Sequence, residues 1–144
     1  MANHSESSKK IHASCVAVGP SAILIMGSSG SGKSALALEL MSRGAELVAD
    51  DRTYISVSDD VLTATCPPAI AGQIEARGLG ILAAEYRKSA AIRLVVDLDK
   101  TESKRYPPVR ELELLGVKLP LLYNPEASYF PAALLQYLKG GRIE

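Results

Sequence analysis

The fold is decided by a glycine- and serine-rich octapeptide, Gly27-Ser28-Ser29-Gly30-Ser31-Gly32-Lys33-Ser34. It fits the pattern G-x-x-x-x-G-K-[ST] in full. Before it, residues 22–26 form a continuous apolar run, which is typical of a strand covered on both faces. After it, residues 33–43 contain good helix formers, and Gly44 stands where a C-terminal helix cap is expected. With an apolar segment at 46–49, the order predicts a βαβ unit built around the octapeptide.

The octapeptide has the chemistry of a loop that holds the phosphates of a nucleoside triphosphate. Its glycines allow a tight turn that points N–H groups at phosphate oxygens, and the following helix adds the positive end of its dipole. The ammonium group of Lys33 should reach the β- and γ-phosphates, and the hydroxyl of Ser34 should bind Mg²⁺. All eight residues are predicted to bind ATP with Mg²⁺, although no motif distinguishes ATP from GTP.

The rest of the chain predicts a mixed sheet in one α/β domain. This domain is expected at residues 11–144, after a flexible tail at residues 1–10. Alternating, glycine-rich and proline-rich patterns define its other elements. In order they are a strand at 14–18, a hairpin of strands 54–57 and 61–65, mostly loop at 73–82, a strand at 91–98, an exposed loop at 101–110, two short strands within 111–122 and a helix at 128–139.

The composition excludes several classes of function. The 144 residues include 16 lysines and arginines, balanced by 16 aspartates and glutamates. Binding to nucleic acid or to a membrane surface needs a basic patch that this balance does not favour. No apolar run suits a membrane helix or a signal peptide, and Cys15 and Cys66 do not make a disulfide framework. We therefore expect a cytoplasmic protein that binds neither nucleic acid nor membrane.

Carboxylates follow two of the predicted strands and are candidates for magnesium binding and proton transfer. Asp50 and Asp51 come directly after strand 46–49, where the chain returns close to the phosphates. One of them could act as a base, because an acceptor hydroxyl must lose its proton during phosphoryl transfer. Asp97, which follows the apolar run 94–96, is the alternative carboxylate for organising Mg²⁺.

Four segments, in this order, carry a resemblance to a known family. They are Ile11-His12, the octapeptide, Leu47-Val48-Ala49-Asp50-Asp51-Arg52, and Ile74-Glu75-Ala76-Arg77-Gly78-Leu79-Gly80-Ile81. Together they resemble the catalytic domain of HPr kinase/phosphorylase, densely over residues 11–82 and thinly afterwards. The chain is similar to a short form of the family that consists of this C-terminal type of domain alone.

The resemblance implies an ATP-dependent protein serine kinase with Mg²⁺. The family phosphorylates a regulatory serine of HPr, the phosphocarrier of the bacterial sugar phosphotransferase system. Its domain resembles the nucleotide half of phosphoenolpyruvate carboxykinase and has a mixed sheet. Arg105, in the loop 101–110, is matched to the arginine with which the family contacts HPr.

The resemblance also implies roles for the side chains around the octapeptide. Lys33 would hold phosphates, Ser34 and Glu75 would hold Mg²⁺, and Arg77 would lie near the phosphates. A second set of residues would handle the proton. There Asp50 would be the base for the serine hydroxyl, His12 would be hydrogen-bonded to Asp50, and Asp51 would lie beside them. A histidine next to a carboxylate orients it and adjusts its proton affinity.

Three features depart from the family pattern. Ser28 stands where the family usually has an acid, and the N-terminal domain of the long members has no counterpart. The expected proline–glycine–arginine–asparagine stretch is not found, since residues 124–127 read Asn-Pro-Glu-Ala. These differences leave the kinase reaction intact. They leave open the reverse, phosphate-dependent dephosphorylation and the hexameric assembly of the family, so a homo-oligomer is one of the states considered.

Two other functions stay open on the residues alone. A small-molecule kinase or plain NTPase would use Asp97 to organise Mg²⁺. A non-catalytic nucleotide sensor would bind ATP and present a surface, such as residues 119–122, to a partner. A base candidate beside the phosphate loop argues against the sensor, because a protein that only binds ATP needs no base.

Overall fold

The computed structural model describes residues 7–144, and within them a nine-stranded mixed sheet forms the centre of the fold. Two helices and a separate two-stranded hairpin pack around this sheet. The strands are β1 (Ser8–Ile11), β2 (Ala13–Val18), β3 (Ser21–Met26), β4 (Glu46–Ala49), β5 (Thr53–Ser58), β6 (Val61–Thr65), β7 (Gln73–Ala76), β8 (Gly80–Ala83), β9 (Ser89–Thr101), β10 (Glu111–Leu114) and β11 (Val117–Asn124). The helices are α1 (Lys33–Met41) and α2 (Phe130–Gly140), with a short 3₁₀ turn at Pro68–Ile70.

The order of the strands brings the carboxyl ends of four strands to one edge of the sheet. The order is β1-β5-β6-β9-β3-β2-β4, and β11 pairs with both β9 and β10. Strands β3 and β9 are parallel, as are β9 and β11, whereas β2 is antiparallel to both β3 and β4. Strands β3, β4, β9 and β11 therefore run in the same direction, and their carboxyl ends lie at the same edge of the sheet. The predicted mixed sheet is confirmed.

Strand β3 is apolar from Ala22 to Met26, because both of its faces are covered. Ile23 and Ile25 pack in one buried cluster with Leu36 and Leu40 of α1, and α2 adds to the same cluster. Leu24 points to the opposite face and packs in a second cluster with residues of β2, β5 and β6. The sheet curls so that β5 and β6 cover its own far face, and each buried Leu or Ile side chain contributes about 1.5–3 kcal/mol.

The segment predicted as mostly loop at 73–82 is instead a hairpin, and that prediction was wrong. Strands β7 and β8 pair antiparallel, with Glu75 opposite Ile81. The glycines that suggested a loop belong to its turn and to the start of β8, where Gly78 has a φ of 91° and Gly80 a φ of 124°. Such angles favour glycine, so these residues form a turn between strands and do not break the strands.

Two further boundaries differ from the prediction. Residues 8–10, assigned to a flexible tail, belong to β1, where Lys10 pairs with Tyr54 of β5. Residues 1–6 of that tail lie outside the described residues. The surface predicted at 119–122 is part of β11, and Leu119 is only 6% exposed because it packs in the core.

The remaining predicted elements are confirmed with small shifts. Strand β9 extends beyond the predicted 91–98, and α2 begins at Phe130. Residues 102–110 have no helix or strand, as expected for the loop. Within residues 7–144, no helix has both the length and the apolar character needed to cross a bilayer.

Candidate functional site

A cleft of about 770 Å³ opens at the sheet edge where β3 and β4 end. Its walls are the loop before α1, the turn that follows β4, and the β7–β8 hairpin. Small-molecule sites typically occupy about 300–1,000 Å³. The cleft is therefore large enough for a nucleotide, and the octapeptide predicted to bind one lies in its wall.

The glycine-rich loop has a backbone that only glycine accommodates at its first residue. A Cβ atom at Gly27 would collide with the side chain of Ser31, and Gly30 and Gly32 have φ values of 82° and 103°. The hydroxyl oxygen of Ser31 is buried and has no hydrogen-bond partner among the described residues. A tightly folded loop with an unsatisfied polar atom fits a segment that closes around bound phosphates.

Lys33 lies at the base of this loop and is only 5% exposed. Its Nζ donates to the carbonyl oxygens of Gly27 at 3.0 Å and Ser28 at 3.2 Å. It also lies 3.8 Å from Oδ1 of Asp51. These contacts satisfy a buried ammonium group and hold it inside the loop, where it can meet a phosphate.

Ser28 is anchored by a residue that the sequence did not identify. Its backbone N–H donates to Oδ2 of Asp99 at 2.8 Å, and its hydroxyl donates to Oδ1 at 2.9 Å. These two hydrogen bonds lower the pKa of Asp99, and the positive charge of Lys33 adds to the effect. The contact depends on the register of β9 beside β3, which places Asp97 next to Met26 and so brings Asp99 close to the loop.

Asp50 is a buried carboxylate that joins three elements. It is 8% exposed and accepts hydrogen bonds on Oδ1 from the hydroxyls of Ser34 at 2.6 Å and Ser14 at 2.9 Å. Its Oδ2 accepts from the backbone N–H of Glu75 at 3.0 Å. Asp50 thereby connects α1, β2 and the β7–β8 hairpin. Ser14 was not predicted from the sequence.

Asp51 points away from Asp50, and its side chain is 54% exposed. Its φ is 67°, and the N–H of Arg52 donates to the carbonyl oxygen of Asp50 at 2.8 Å, which makes a tight three-residue turn. Nε2 of His12 is in hydrogen-bond contact with Oδ1 of Asp51. The expected partner of His12 was Asp50, and that prediction was wrong, because the buried carboxylate faces Ser14 and Ser34.

Strand β7 and the first residue of the turn after it supply two further residues that were predicted from the sequence. Ile74 and Ala76 are buried, so the alternation of the strand turns the side chains of Glu75 and Arg77 outward, where they line the cleft. Arg52 lines the same cleft. Within residues 7–144, neither Arg52 nor Arg77 forms an ion pair. Two guanidinium groups are therefore available to an anionic ligand.

The predicted magnesium ligands, Ser34 and Glu75, both line the cleft. In the described part of the chain, no three His, Cys, Asp or Glu residues form a group that could hold a metal ion by themselves. Magnesium in kinases usually has few protein ligands, and phosphate oxygens and water complete its coordination. A hydroxyl and a carboxylate at the phosphate loop fit this kind of site.

Two candidates lie outside the cleft. Asp97 accepts a hydrogen bond from the N–H of Asp99 at 2.9 Å and is not among the lining residues. Arg105 is exposed on the loop after β9, with its guanidinium 5.4 Å from the centre of the Tyr106 ring. That loop leaves the same sheet edge as the phosphate loop, because β3 and β9 are parallel.

Cys66 is a half-buried thiol near the carboxylates. Burial raises the pKa of this thiol, and the negative charge of Asp50 raises it further. A thiol with a raised pKa stays protonated at neutral pH and is a poor nucleophile. We therefore assign Cys66 no role as a nucleophile in the cleft.

Both the sequence and the fold of this chain are similar to those of HPr kinases. The profile of the HPr Serine kinase C-terminal domain matches residues 3–121. HPr kinase/phosphorylase of Xylella fastidiosa (strain M12) is 43% identical over 93 residues, which cover 59% of this chain and 29% of that protein. The protein of the same name from Stenotrophomonas maltophilia (strain K279a) has the same identity and coverage. The chain thus spans about 29% of the length of these curated relatives.

A solved structure extends the similarity over nearly the whole fold. The Hpr(Ser) kinase/phosphatase from Coxiella burnetii has a TM-score of 0.78 with this chain and covers 94% of it. The match includes 97% of that chain at 23% sequence identity. The likeness establishes the fold, a mixed α/β domain with a curled sheet.

Proposed function

This chain belongs to the HPr Serine kinase C-terminal domain family, and from that membership we propose that it is an ATP-dependent protein serine kinase. The proposed acceptor is HPr, the phosphocarrier of the sugar phosphotransferase system, because the relatives are named HPr kinase/phosphorylase. The proposed kinase domain comprises residues 11–144 and also residues 8–10, which belong to β1 of the same sheet. It implies a cytoplasmic protein, since its acceptor serves sugar uptake inside the cell.

One observation carries the proposal: Asp50 joins Ser34 of the phosphate loop to Glu75 of the hairpin. A nucleotide-binding loop alone is compatible with many functions. Asp50 is a more specific feature, because its carboxylate contacts the loop hydroxyl and also accepts a hydrogen bond from the strand that bears Glu75. It brings the groups needed for phosphate, magnesium and proton handling into one cleft.

The nucleotide is proposed to bind with its phosphates in the loop of residues 27–34. Lys33 would hold the phosphates through its ammonium group, and Ser34 and Glu75 would hold Mg²⁺. The cation neutralises charge on the phosphate oxygens during transfer. The guanidinium group of Arg77, which lines the cleft near Glu75, would contribute a second positive charge beside that of Lys33.

The proton of the acceptor hydroxyl is proposed to pass to the aspartate pair. The sequence placed the base at Asp50. Exposure favours Asp51, whose side chain is 54% exposed and lies 3.8 Å from Nζ of Lys33. Asp50 is nearly buried and already accepts three hydrogen bonds. In this arrangement Asp50 orients Ser34 and Asp51 takes the proton, with His12 orienting Asp51.

The openness of the site is consistent with an acceptor on a folded protein. Asp51, Glu75 and Arg77 are all exposed at the mouth of the cleft, so a serine on the surface of HPr could reach them. Arg105 extends from the same edge of the sheet and is proposed to contact HPr. The alternative built on Asp97 is disfavoured, because that side chain bonds to Asp99 and is outside the cleft.

The experiment is incubation of the protein with HPr, ATP and Mg²⁺, followed by mass spectrometry of HPr. One phosphate on a serine of HPr is expected, and a chelator of Mg²⁺ should prevent its addition. If folded protein binds ATP but HPr gains no phosphate, HPr is not the acceptor. Transfer to a small molecule, or ATP binding without any turnover, would support one of the two alternative functions.

A further inference from the structure

Strand β2 contains a buried hydroxyl that the proposed reaction has not used. The strand reads Ala-Ser-Cys-Val-Ala-Val and lies between β3 and β4, the last strand in the sheet order. Ser14 is 0% exposed in this apolar setting. Because a buried hydroxyl is costly unless it is hydrogen-bonded, its partners indicate why it is there.

The Ser14 hydroxyl bonds to two consecutive aspartates. It donates to Oδ1 of Asp50 at 2.9 Å and accepts from the backbone N–H of Asp51 at 3.1 Å. One oxygen atom thus fixes the side chain of the first aspartate and the backbone of the second. No other described side chain contacts both residues in this way.

The turn fixed by Ser14 is strained. Asp51 has a φ of 67°, and the hydrogen bond from Arg52 N to Asp50 O closes a turn of only three residues. A three-residue turn with positive φ at its centre is rare and persists only when the surroundings hold it. In this turn the Asp50 carboxylate is buried, whereas the Asp51 carboxylate is exposed and lines the cleft.

We propose that Ser14 is a positioning residue for phosphoryl transfer, because its hydroxyl holds the strained turn and thereby separates the two carboxylates. Without it, the Asp50 side chain loses one donor and the Asp51 N–H loses its acceptor. The turn can then relax, and the Asp51 carboxylate leaves its place 3.8 Å from Lys33 Nζ. This inference rests on the proposed function for its effect on turnover, and on the turn alone for its structural effect.

The test uses three variants of the whole chain. Ser14→Ala removes the hydroxyl group and leaves the rest of the side chain in place. Ser14→Thr retains a hydroxyl. Thr53→Val is the matched control, because the Thr53 hydroxyl is also buried in this region but donates only to the carbonyl oxygen of Ala13, at 2.8 Å. Both hydroxyl deletions should lower the thermal midpoint, so stability by itself does not separate them.

Two measurements separate a positioning role from a general structural role. In native-state amide exchange, Ser14→Ala should accelerate exchange at Asp51 and Arg52 by about tenfold or more, while β3 and β9 keep their protection. In transfer to HPr, the kcat of Ser14→Ala should fall by about 10- to 100-fold with unchanged affinity for ATP. Thr53→Val should keep both the exchange at the turn and the kcat, and Ser14→Thr should restore most of both.

The inference is overturned if Ser14→Ala leaves exchange at Asp51 and Arg52 unchanged, or if Thr53→Val lowers kcat as much as Ser14→Ala does. If the unmodified protein transfers no phosphate to HPr, the proposed function fails. The exchange measurement then decides the role of Ser14 in holding the turn. The two failures are therefore distinguishable.

Discussion

The hydroxyl of Ser34 donates a 2.6 Å hydrogen bond to Oδ1 of Asp50, which joins the first turn of α1 to the end of β4. The βαβ connection makes this contact, because β3 and β4 end at the same edge of the sheet and α1 starts there. The residue expected to bind magnesium thus touches one of the two aspartates expected to handle the proton. In the proposed reaction, this contact would orient the magnesium-binding hydroxyl next to the aspartate pair.

Replacement of Lys33 tests the phosphate loop. Lys33→Ala removes the ammonium group that the carbonyl oxygens of Gly27 and Ser28 hold in the loop. The rate of phosphoryl transfer should fall by about 10²–10³-fold, as when one transition-state-stabilising donor is removed. Lys88→Ala, at an exposed lysine outside the cleft, is the control and should keep the rate. Equal rates for Lys33→Ala and the unmodified protein would contradict the role of the loop.

Asparagine substitutions separate the roles of the two aspartates. Asp51→Asn should change the free energy of unfolding by less than about 0.5 kcal/mol, because the side chain is exposed and Asn tolerates positive φ. Its kcat should fall by about 10²–10⁴-fold if Asp51 is the base. Denaturant unfolding and steady-state kinetics of the same preparation give both numbers.

Asp50→Asn should differ from Asp51→Asn in its effect on stability. The amide group of the asparagine would face three donors in a buried site, so the free energy of unfolding should fall by about 1–3 kcal/mol. Activity should also fall, because a neutral amide holds and orients the Ser34 hydroxyl less strongly than the carboxylate does. If Asp50→Asn is the stable variant with the larger loss of kcat, the base is Asp50, as the sequence predicted, and the assignment to Asp51 is wrong.

The anchor between Ser28 and Asp99 predicts a pH dependence. The two hydrogen bonds from Ser28 lower the pKa of Asp99 below its ordinary value of 3.8. A carboxyl group with a lowered pKa in the folded state contributes its stabilisation fully above the ordinary pKa. It loses that contribution as the pH falls through the folded-state pKa. The anchor should therefore stay intact from neutral pH down to pH values near 4.

Nuclear magnetic resonance can follow this anchor at single residues. The amide signal of Ser28 should report the titration of Asp99, with a midpoint below 3.8. Ser28→Ala removes the hydroxyl bond and should raise the pKa of Asp99 toward its ordinary value. A midpoint at or above 3.8 in the unmodified protein would show that the anchor is not formed in solution.

Asp97→Asn distinguishes the kinase proposed here from an enzyme that organises magnesium with Asp97. The Asp97 side chain accepts the N–H of Asp99, and an asparagine oxygen can accept the same bond. We therefore expect ATP affinity and phosphoryl transfer close to those of the unmodified protein. Loss of turnover with retained ATP binding would favour the alternative enzyme.

The sequence predicted the parts of the site that depend on local patterns. The apolar run, the octapeptide and the helix formers are adjacent in the chain, so they specify strand, loop and helix without knowledge of the rest. Asp50 and Asp51 follow the next strand directly and were found for the same reason. The mixed sheet was also predictable, because hairpin patterns follow a single βαβ unit.

The contacts missed by the sequence depend on strand order and side-chain direction. Ser14 reaches Asp50 because β2 lies beside β4, and Asp99 reaches Ser28 because β9 lies beside β3. His12 was paired with the wrong aspartate, since the tight turn at Asp51 reverses which carboxylate faces outward. The hairpin at β7 and β8 was missed because its glycines were interpreted as breaking the strands.

The most direct test of the central claim is transfer of ³²P from γ-labelled ATP to HPr, measured with the unmodified protein and with the Asp50→Asn and Asp51→Asn variants. The account predicts labelled serine in HPr with the unmodified protein and Mg²⁺, and a large loss of label with both variants. Label in HPr that persists when both aspartates are replaced together would contradict the account. So would a folded, ATP-binding protein that leaves HPr unlabelled.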